Sequence, residues 1–177
     1  MNISFSGIVL PQSGAFVVGA LEGGALSKTA QEVDKKCGGA ISRAIKAGRF
    51  EGKSEQVLEL LSPVGLGVSR VLVVGLGKPA DFSALSAEKL GALIFDRLSM
   101  SGEKQLSAAI DEIAKCPLKS ELVAAHMAAG VRSRSYRFDK YRTRLKDSDK
   151  PSLTKITMMC AKTAPAKAAF ARLDHVL

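Results

Sequence analysis

The sequence predicts an α/β fold, a mixed and mainly parallel sheet between helices, on three observations. Val71-Leu72-Val73-Val74 is an unbroken apolar run, three of its four residues β-branched. A strand wet on one face alternates polar and apolar residues, whereas a strand covered on both faces reads as such a run. Strand-like and helix-like segments also alternate along the chain instead of separating into blocks, and helical patterns flank the run on both sides. These features place the 70–78 strand in the middle of the sheet.

The first strand is expected at the N-terminus, where Ile3 and Phe5 alternate with Asn2, Ser4 and Ser6. Residues 15–21 follow Pro11 and Gly14 as a second, more buried strand. From 27 to 47 the pattern is helical, broken into two helices at Gly38-Gly39, with Ile41, Ala44 and Ile45 on the inner face of the second. A turn at 48–53 leads into a strand over 55–61, ended by Pro63 and Gly65.

Beyond the central strand, Leu90, Leu93, Ile94 and Leu98 recur at helical spacing, so a helix runs from near Ser83 to about Met100. Residues 106–110 suit a strand or, through their alanines, a helix. Pro117 suits a helix start, where its missing N–H costs nothing, and Leu118, Leu122, Ala125 and Ala129 share a face with His126 beside it. Residues 143–152 read as a polar loop, 155–160 as the last strand and 164–177 as a helix. No Gly or Asn caps that helix, and the chain reads as cut there.

The bulk numbers set limits. A chain of 177 residues suits one domain, and 46% apolar with 24% charged residues is ordinary for a globular one. Trp is absent and aromatics make up 5%, a poor supply for stacking on bases. No run approaches the ~18 apolar residues of a membrane span, and the N-terminus lacks the layout of a signal peptide. A cytoplasmic protein without membrane contact is expected. Cys37, Cys116 and Cys160 are odd in number and stand in no metal-binding spacing, which predicts reduced thiols. His126 and His175 have no partner at ligand spacing and are expected to be structural.

Two stretches carry candidate chemistry. Gly75-Leu76-Gly77-Lys78-Pro79-Ala80 matches the glycine fingerprint of dinucleotide sites, which makes Gly75 and Gly77 a possible phosphate-binding turn. That fingerprint needs a helix opening directly at the glycines, and here Pro79 intervenes and the helical pattern waits until Ser83, so a tight strand exit is the favoured reading. Secondly, Arg132, Arg134, Arg137, Lys140, Arg142, Arg144, Lys146 and Lys150 stand against only Asp139, Asp147 and Asp149, and carry more than half of the chain's net charge of +9. Arg132, Arg134, Arg142 and Arg144 are possible nucleic-acid contacts. The competing reading, which is favoured, is a solvated helix end with Tyr136, Phe138 and Tyr141 packed inward and Arg134, Arg142 and Arg144 turned to water. Asp111-Glu112, and Asp147 with Asp149, read as solvated surface acids.

Residues 128–141, AAGVRSRSYRFDKY, resemble the signature near the end of the N-terminal domain of leucyl aminopeptidases, also called cytosol aminopeptidases. Asp34 with Gly38-Gly39-Ala40, Phe50-Glu51-Gly52-Lys53 and the 70–78 strand resemble other pieces of that family in the same order, and the resemblance tips 106–110 toward strand. The resemblance implies a macro-domain-like fold over residues 1–160, with 161–177 beginning the connecting helix to a C-terminal catalytic domain. It implies a homo-hexameric parent that uses two divalent metal ions, manganese or zinc, held by lysine, aspartate and glutamate side chains of that other domain. None of those motifs stands in this sequence, so no catalytic or metal-binding residue is assigned and the chain is expected to be non-catalytic. Some bacterial members of the family also bind DNA. A macro-like module binding ADP-ribose or a related nucleotide, and a nucleic-acid-binding domain, remain as alternatives.

Overall fold

The computed structural model describes residues 1–140 and 150–177. The elements are β1 (Asn2–Ser6), β2 (Ala15–Leu21), β3 (Ala25–Leu26), α1 (Lys28–Lys36), α2 (Ala40–Ala47), β4 (Val57–Leu61), β5 (Arg70–Gly77), α3 (Ala84–Leu98), β6 (Gln105–Ala109), α4 (Ser120–Lys140), β7 (Lys155–Met159) and α5 (Thr163–Asp174). The strands form one sheet in the order β1-β7-β6-β2-β5-β4, with β3 pairing on β2. Neighbours from β1 to β5 run parallel, while β4 is antiparallel to β5. The mixed, mainly parallel sheet between helices is therefore observed.

β5 does not lie in the middle of the sheet. It is second from one edge, and β6 and β2 are central. Its apolar run reports cover on both faces, which the structure has, and not position in the order. Leu72 and Val74 pack with Phe95 and Ile94 of α3 in one core, and Val71 and Val73 pack with Ile41 of α2 and Phe50 in the other.

Local chemistry sets most boundaries. Ser27 caps α1 by accepting from Ala30 N–H, and Asp34 turns the chain into α2 by accepting from the amides of Ile41 and Ser42. Gly38 and Gly39, at φ 66° and 83°, make the left-handed corner between the two helices. Ser83 and Ser86 form a reciprocal cap on α3. β4 starts at Val57 and not at Glu55, because Glu55 stands at φ 70° and Gln56 accepts from the amides of Glu51 and Lys53, which closes a turn.

α4 departs from expectation at both ends. It begins at Ser120, not at Pro117, since Glu112 receives the Ser120 amide and hydroxyl and so caps the first turn. It then continues as helix to Lys140, through Tyr136 and Phe138, which were both expected to pack inward. On a helix, residues two apart point ~200° away from each other, so Tyr136 and Phe138 cannot both face the core. Phe138 does, edge-on to Phe95 with ring centroids 5.9 Å apart, and Tyr136 is 56% exposed. α4 lies closely on α3: a Cβ at Gly130 would stand 2.0 Å from Glu88 O, and one at Gly91 2.0 Å from Met127 O. Only glycine lets the two backbones meet there.

α5 closes the same side of the sheet, burying Ala166, Ala169 and Phe170 in the core it shares with α3 and α4. The expected division after residue 160 thus falls between β7 and a helix whose side chains belong to that core.

Candidate functional site

In an open parallel sheet, ligands enter at the carboxyl ends of strands where successive connections leave in opposite directions. Here that place is the crevice between β2 and β6. The chain leaves β2 toward β4 on one side and leaves β6 toward β7 on the other. Val17, Gly19, Leu76, Phe82, Ile110 and Asp111 line it. It is nearly full. The free space is about 30 Å³, room for one or two waters. Leu76 lies over Gly19 so closely that a Cβ on Gly19 would stand 2.8 Å from Leu76 Cδ1.

The polar rim of the crevice is also occupied. Asp111, directly beyond β6, accepts from Thr29 N at 2.9 Å and from Thr29 Oγ1 at 2.7 Å. Thr29 lies in the first turn of α1, where unpaired amides and the helix dipole favour an anion. The protein's own carboxylate fills that position. Asp111 and Glu112 are therefore not free surface acids, as their charged neighbours suggested. Each ties a helix start to the end of β6.

Gly75 and Gly77 serve the packing of a neighbouring turn. Gly75 N donates to Gln56 O at 2.8 Å, and Gly77 N donates to Gly52 O at 2.9 Å. A Cβ on Gly75 would lie 1.9 Å from Lys53 O. On its other side the turn meets the end of β2, where a Cβ on Gly52 would lie 2.0 Å from Leu21 O. Two of the sequence motifs, 50–53 and 70–78, are thus pressed together by their glycines. Lys53 Nζ pairs with Glu51 Oε2 at 2.8 Å, and the hydrogen bond lowers the Glu51 carboxyl while raising the Lys53 ammonium.

In the basic stretch Arg134, Arg137, Lys140 and Lys150 are exposed, and Arg132 is drawn in. Arg132 is half-buried, with Nε 3.3 Å from Asp174 Oδ1, Nη1 donating to Met1 O at 3.0 Å and its guanidinium 5.9 Å from the Phe170 ring centre. It fastens α4 to α5 and to the first residue. Arg134 Nε bonds Asp96 Oδ1 of α3 at 2.8 Å, with both side chains nearly half exposed. Arg142, Arg144 and Tyr141 lie outside the described residues, as do Lys146, Asp147 and Asp149.

Among the described residues, no three His, Cys, Asp or Glu side chains come together as a metal ion would require. The described residues do not fit a metal centre. His126 Nδ1 lies 3.8 Å from Glu88 Oε1 between α4 and α3. The three cysteines are free, Cys37 and Cys160 being buried and Cys116 partly so. Burial pushes the Cys160 thiol up, opposed by a backbone hydrogen bond of Lys162 and reinforced by the nearby carboxylates of Glu121 and Glu112. This is an inert thiol, since the thiolate is the reactive form.

Sequence reasoning missed Asp111, Thr29 and Leu76. The available signal was position: Asp111 directly follows a parallel strand, where sites are built, and Leu76 sits between the two glycines of a strand's last turn.

The fold and the crevice together define a macro-domain-like α/β module whose ligand entrance is taken up by its own side chains. A family model described as the cytosol aminopeptidase family, N-terminal domain, matches residues 17–145. A probable cytosol aminopeptidase of Rhodopseudomonas palustris (strain BisA53) is 42% identical over 132 residues, covering 75% of this chain and 26% of that relative. Among solved structures, a point mutant of tomato leucine aminopeptidase is similar with a TM-score of 0.77 at 23% identity, covering 99% of this chain and 36% of its own. A mutant macrodomain of Oceanobacillus iheyensis is similar with a TM-score of 0.68 at 11% identity, covering 99% and 93%. At these identities the structural likenesses show the fold. The chain belongs to the cytosol aminopeptidase family and is its N-terminal domain. It spans between a quarter and about a third of the length of the curated relatives it matches. Among the described residues, no helix is long and apolar enough to cross a membrane.

Proposed function

We propose that this chain acts as a non-catalytic domain within a longer, metal-dependent aminopeptidase that removes N-terminal residues from peptides in the cytoplasm. The family match over residues 17–145 carries this reading, together with relatives named as aminopeptidases that extend far beyond the matched part. The manganese or zinc ions, and the residues holding them, belong in this reading to the catalytic domain that follows, with which this domain packs in a homo-hexamer. The domain's own part is to shape assembly and access.

The filled crevice supports a structural role. Leu76 occupies the space between the central strand ends, and Asp111 occupies the helix start where a ligand phosphate would bind. In the same reading the Gly75–Gly77 turn packs against residues 50–53 and does not hold a nucleotide. Nucleic acid is not the favoured partner, because Arg132 and Arg134 spend their charge on Asp174 and Asp96.

The test is an assay of the purified chain against a leucine amide with manganese or zinc added. No turnover is expected. Metal-stimulated hydrolysis that tracks the chain through purification overturns the reading. A thermal shift on adding ADP-ribose, which ligand binding to the folded state would produce, overturns the structural account of the crevice.

A further inference from the structure

The two sides of the sheet differ in how their surface charge is used. On the side of α3, α4 and α5, Arg132 and Arg134 are paired with Asp174 and Asp96. On the other side, α1 and α2 cover the core of Phe16, Val33, Ile41 and Val73. There Lys28, Lys35, Lys36, Arg43, Lys46 and Arg49 are all exposed. None of the six forms an ion pair among the described residues. Of the two acids in residues 28–49, Asp34 is taken up by the amides of Ile41 and Ser42, which leaves Glu32 facing out.

Apolar side chains stand beside these cations. The 62–69 loop is pressed onto the end of α1, where a Cβ on Gly65 would lie 2.3 Å from Lys36 O. Leu66 of this loop packs into the core under α1, and Val64 is turned out, 88% exposed. The 7–14 loop lies next to it, a Cβ on Gly67 standing 2.7 Å from Gln12 O. Leu10 packs into the same core, and Val9 is 63% exposed.

We propose that this face rests on an anionic lipid surface. The unpaired cations of α1 and α2 meet the headgroup phosphates, and Val9 and Val64 enter the boundary between headgroups and acyl chains. Contact of this kind needs no spanning helix. Nucleic acid would use the cations alone and leave both valines against a polar backbone. A protein partner fits the composition poorly, because interface centres are rich in aromatic residues and depleted of lysine. Four of the six cations are lysines, and no aromatic residue stands in 7–14, 28–49 or 62–69. A lipid surface takes both the charge and the valines without a matching shape. The inference is independent of the aminopeptidase reading.

Flotation of the 177-residue protein with phosphatidylcholine vesicles, with and without phosphatidylglycerol, tests it. Binding is expected with the anionic lipid alone, and added salt should release it, because exposed charges are screened. Lys35→Glu together with Lys36→Glu should weaken binding about tenfold or more. Arg137→Glu, on the opposite side of the sheet, should leave it nearly unchanged. The chain has no tryptophan, so Val64→Trp supplies a single one, whose emission should shift to the blue on anionic vesicles. All four positions are exposed, so the variants should fold as the parent does. Absence of binding to anionic vesicles overturns the proposal. So does binding that the lysine pair does not weaken, or that Arg137→Glu weakens as much, or tryptophan emission that stays unshifted. Duplex DNA held more tightly than the vesicles through the same two lysines, with Val64→Asp without effect, gives the face to nucleic acid and overturns it as well.

Discussion

Asp111 receives both polar hydrogens of Thr29, a residue 82 positions earlier, at 2.9 Å from the amide and 2.7 Å from the hydroxyl. Thr29 is only 6% exposed, so its donors have no ready substitute in water. Leaving such groups unpaired costs about 1–3 kcal/mol. Asp111→Ala should therefore lower the melting temperature by several degrees, at roughly 2–4 °C per kcal/mol for a domain of this size. A thermal melt within one degree of the parent protein would remove Asp111 from its assigned place.

Gly75 and Gly77 differ in what they require, and substitution separates them. A methyl group on Gly75 meets Lys53 O at 1.9 Å and must push the 50–53 turn aside, an overpacking cost of about 1–3 kcal/mol or more. A Cβ on Gly77 would meet Ser54 at 3.6 Å, an ordinary van der Waals contact, so substitution there is opposed by its φ of 73°. The left-handed backbone costs an ordinary residue ~1–2 kcal/mol. Urea midpoints should show Gly75→Ala as the more damaging change. Equal midpoints would mean that the two motifs are not pressed together as described.

The pair Tyr136 and Phe138 gives a second contrast. Phe138 meets Phe95 edge-on and closes one end of the core, so Phe138→Ala should cost up to about 3 kcal/mol, less than a fully buried ring. Tyr136 is 56% exposed, and Tyr136→Ala should change stability by no more than ~0.5 kcal/mol. Denaturant titration of both variants checks the helical phase of residues 136–140, because an extended segment would make the two losses similar.

What the sequence by itself determined is local. The apolar run at 71–74, the corner at Gly38-Gly39, the strand at 15–21 and the helix start near Ser83 are each written in a few adjacent residues, and each stands where it was expected. The signature at 128–141 was legible as a family resemblance, and the match over residues 17–145 bears it out.

What only the tertiary structure decided is which residues meet across the chain. β5 moved from the middle of the sheet to second place, because cover on two faces does not say how many strands lie on either side. Asp111 and Glu112 read as surface acids until Thr29 and Ser120 were brought to them, and Leu76 read as a turn residue until Gly19 lay beneath it. Arg132 read as a possible nucleic-acid contact until α5 carried Asp174 and Phe170 to its side. A side chain's partner is set by strand order and helix packing, which are sums over many weak long-range contacts, and no short window of sequence contains them.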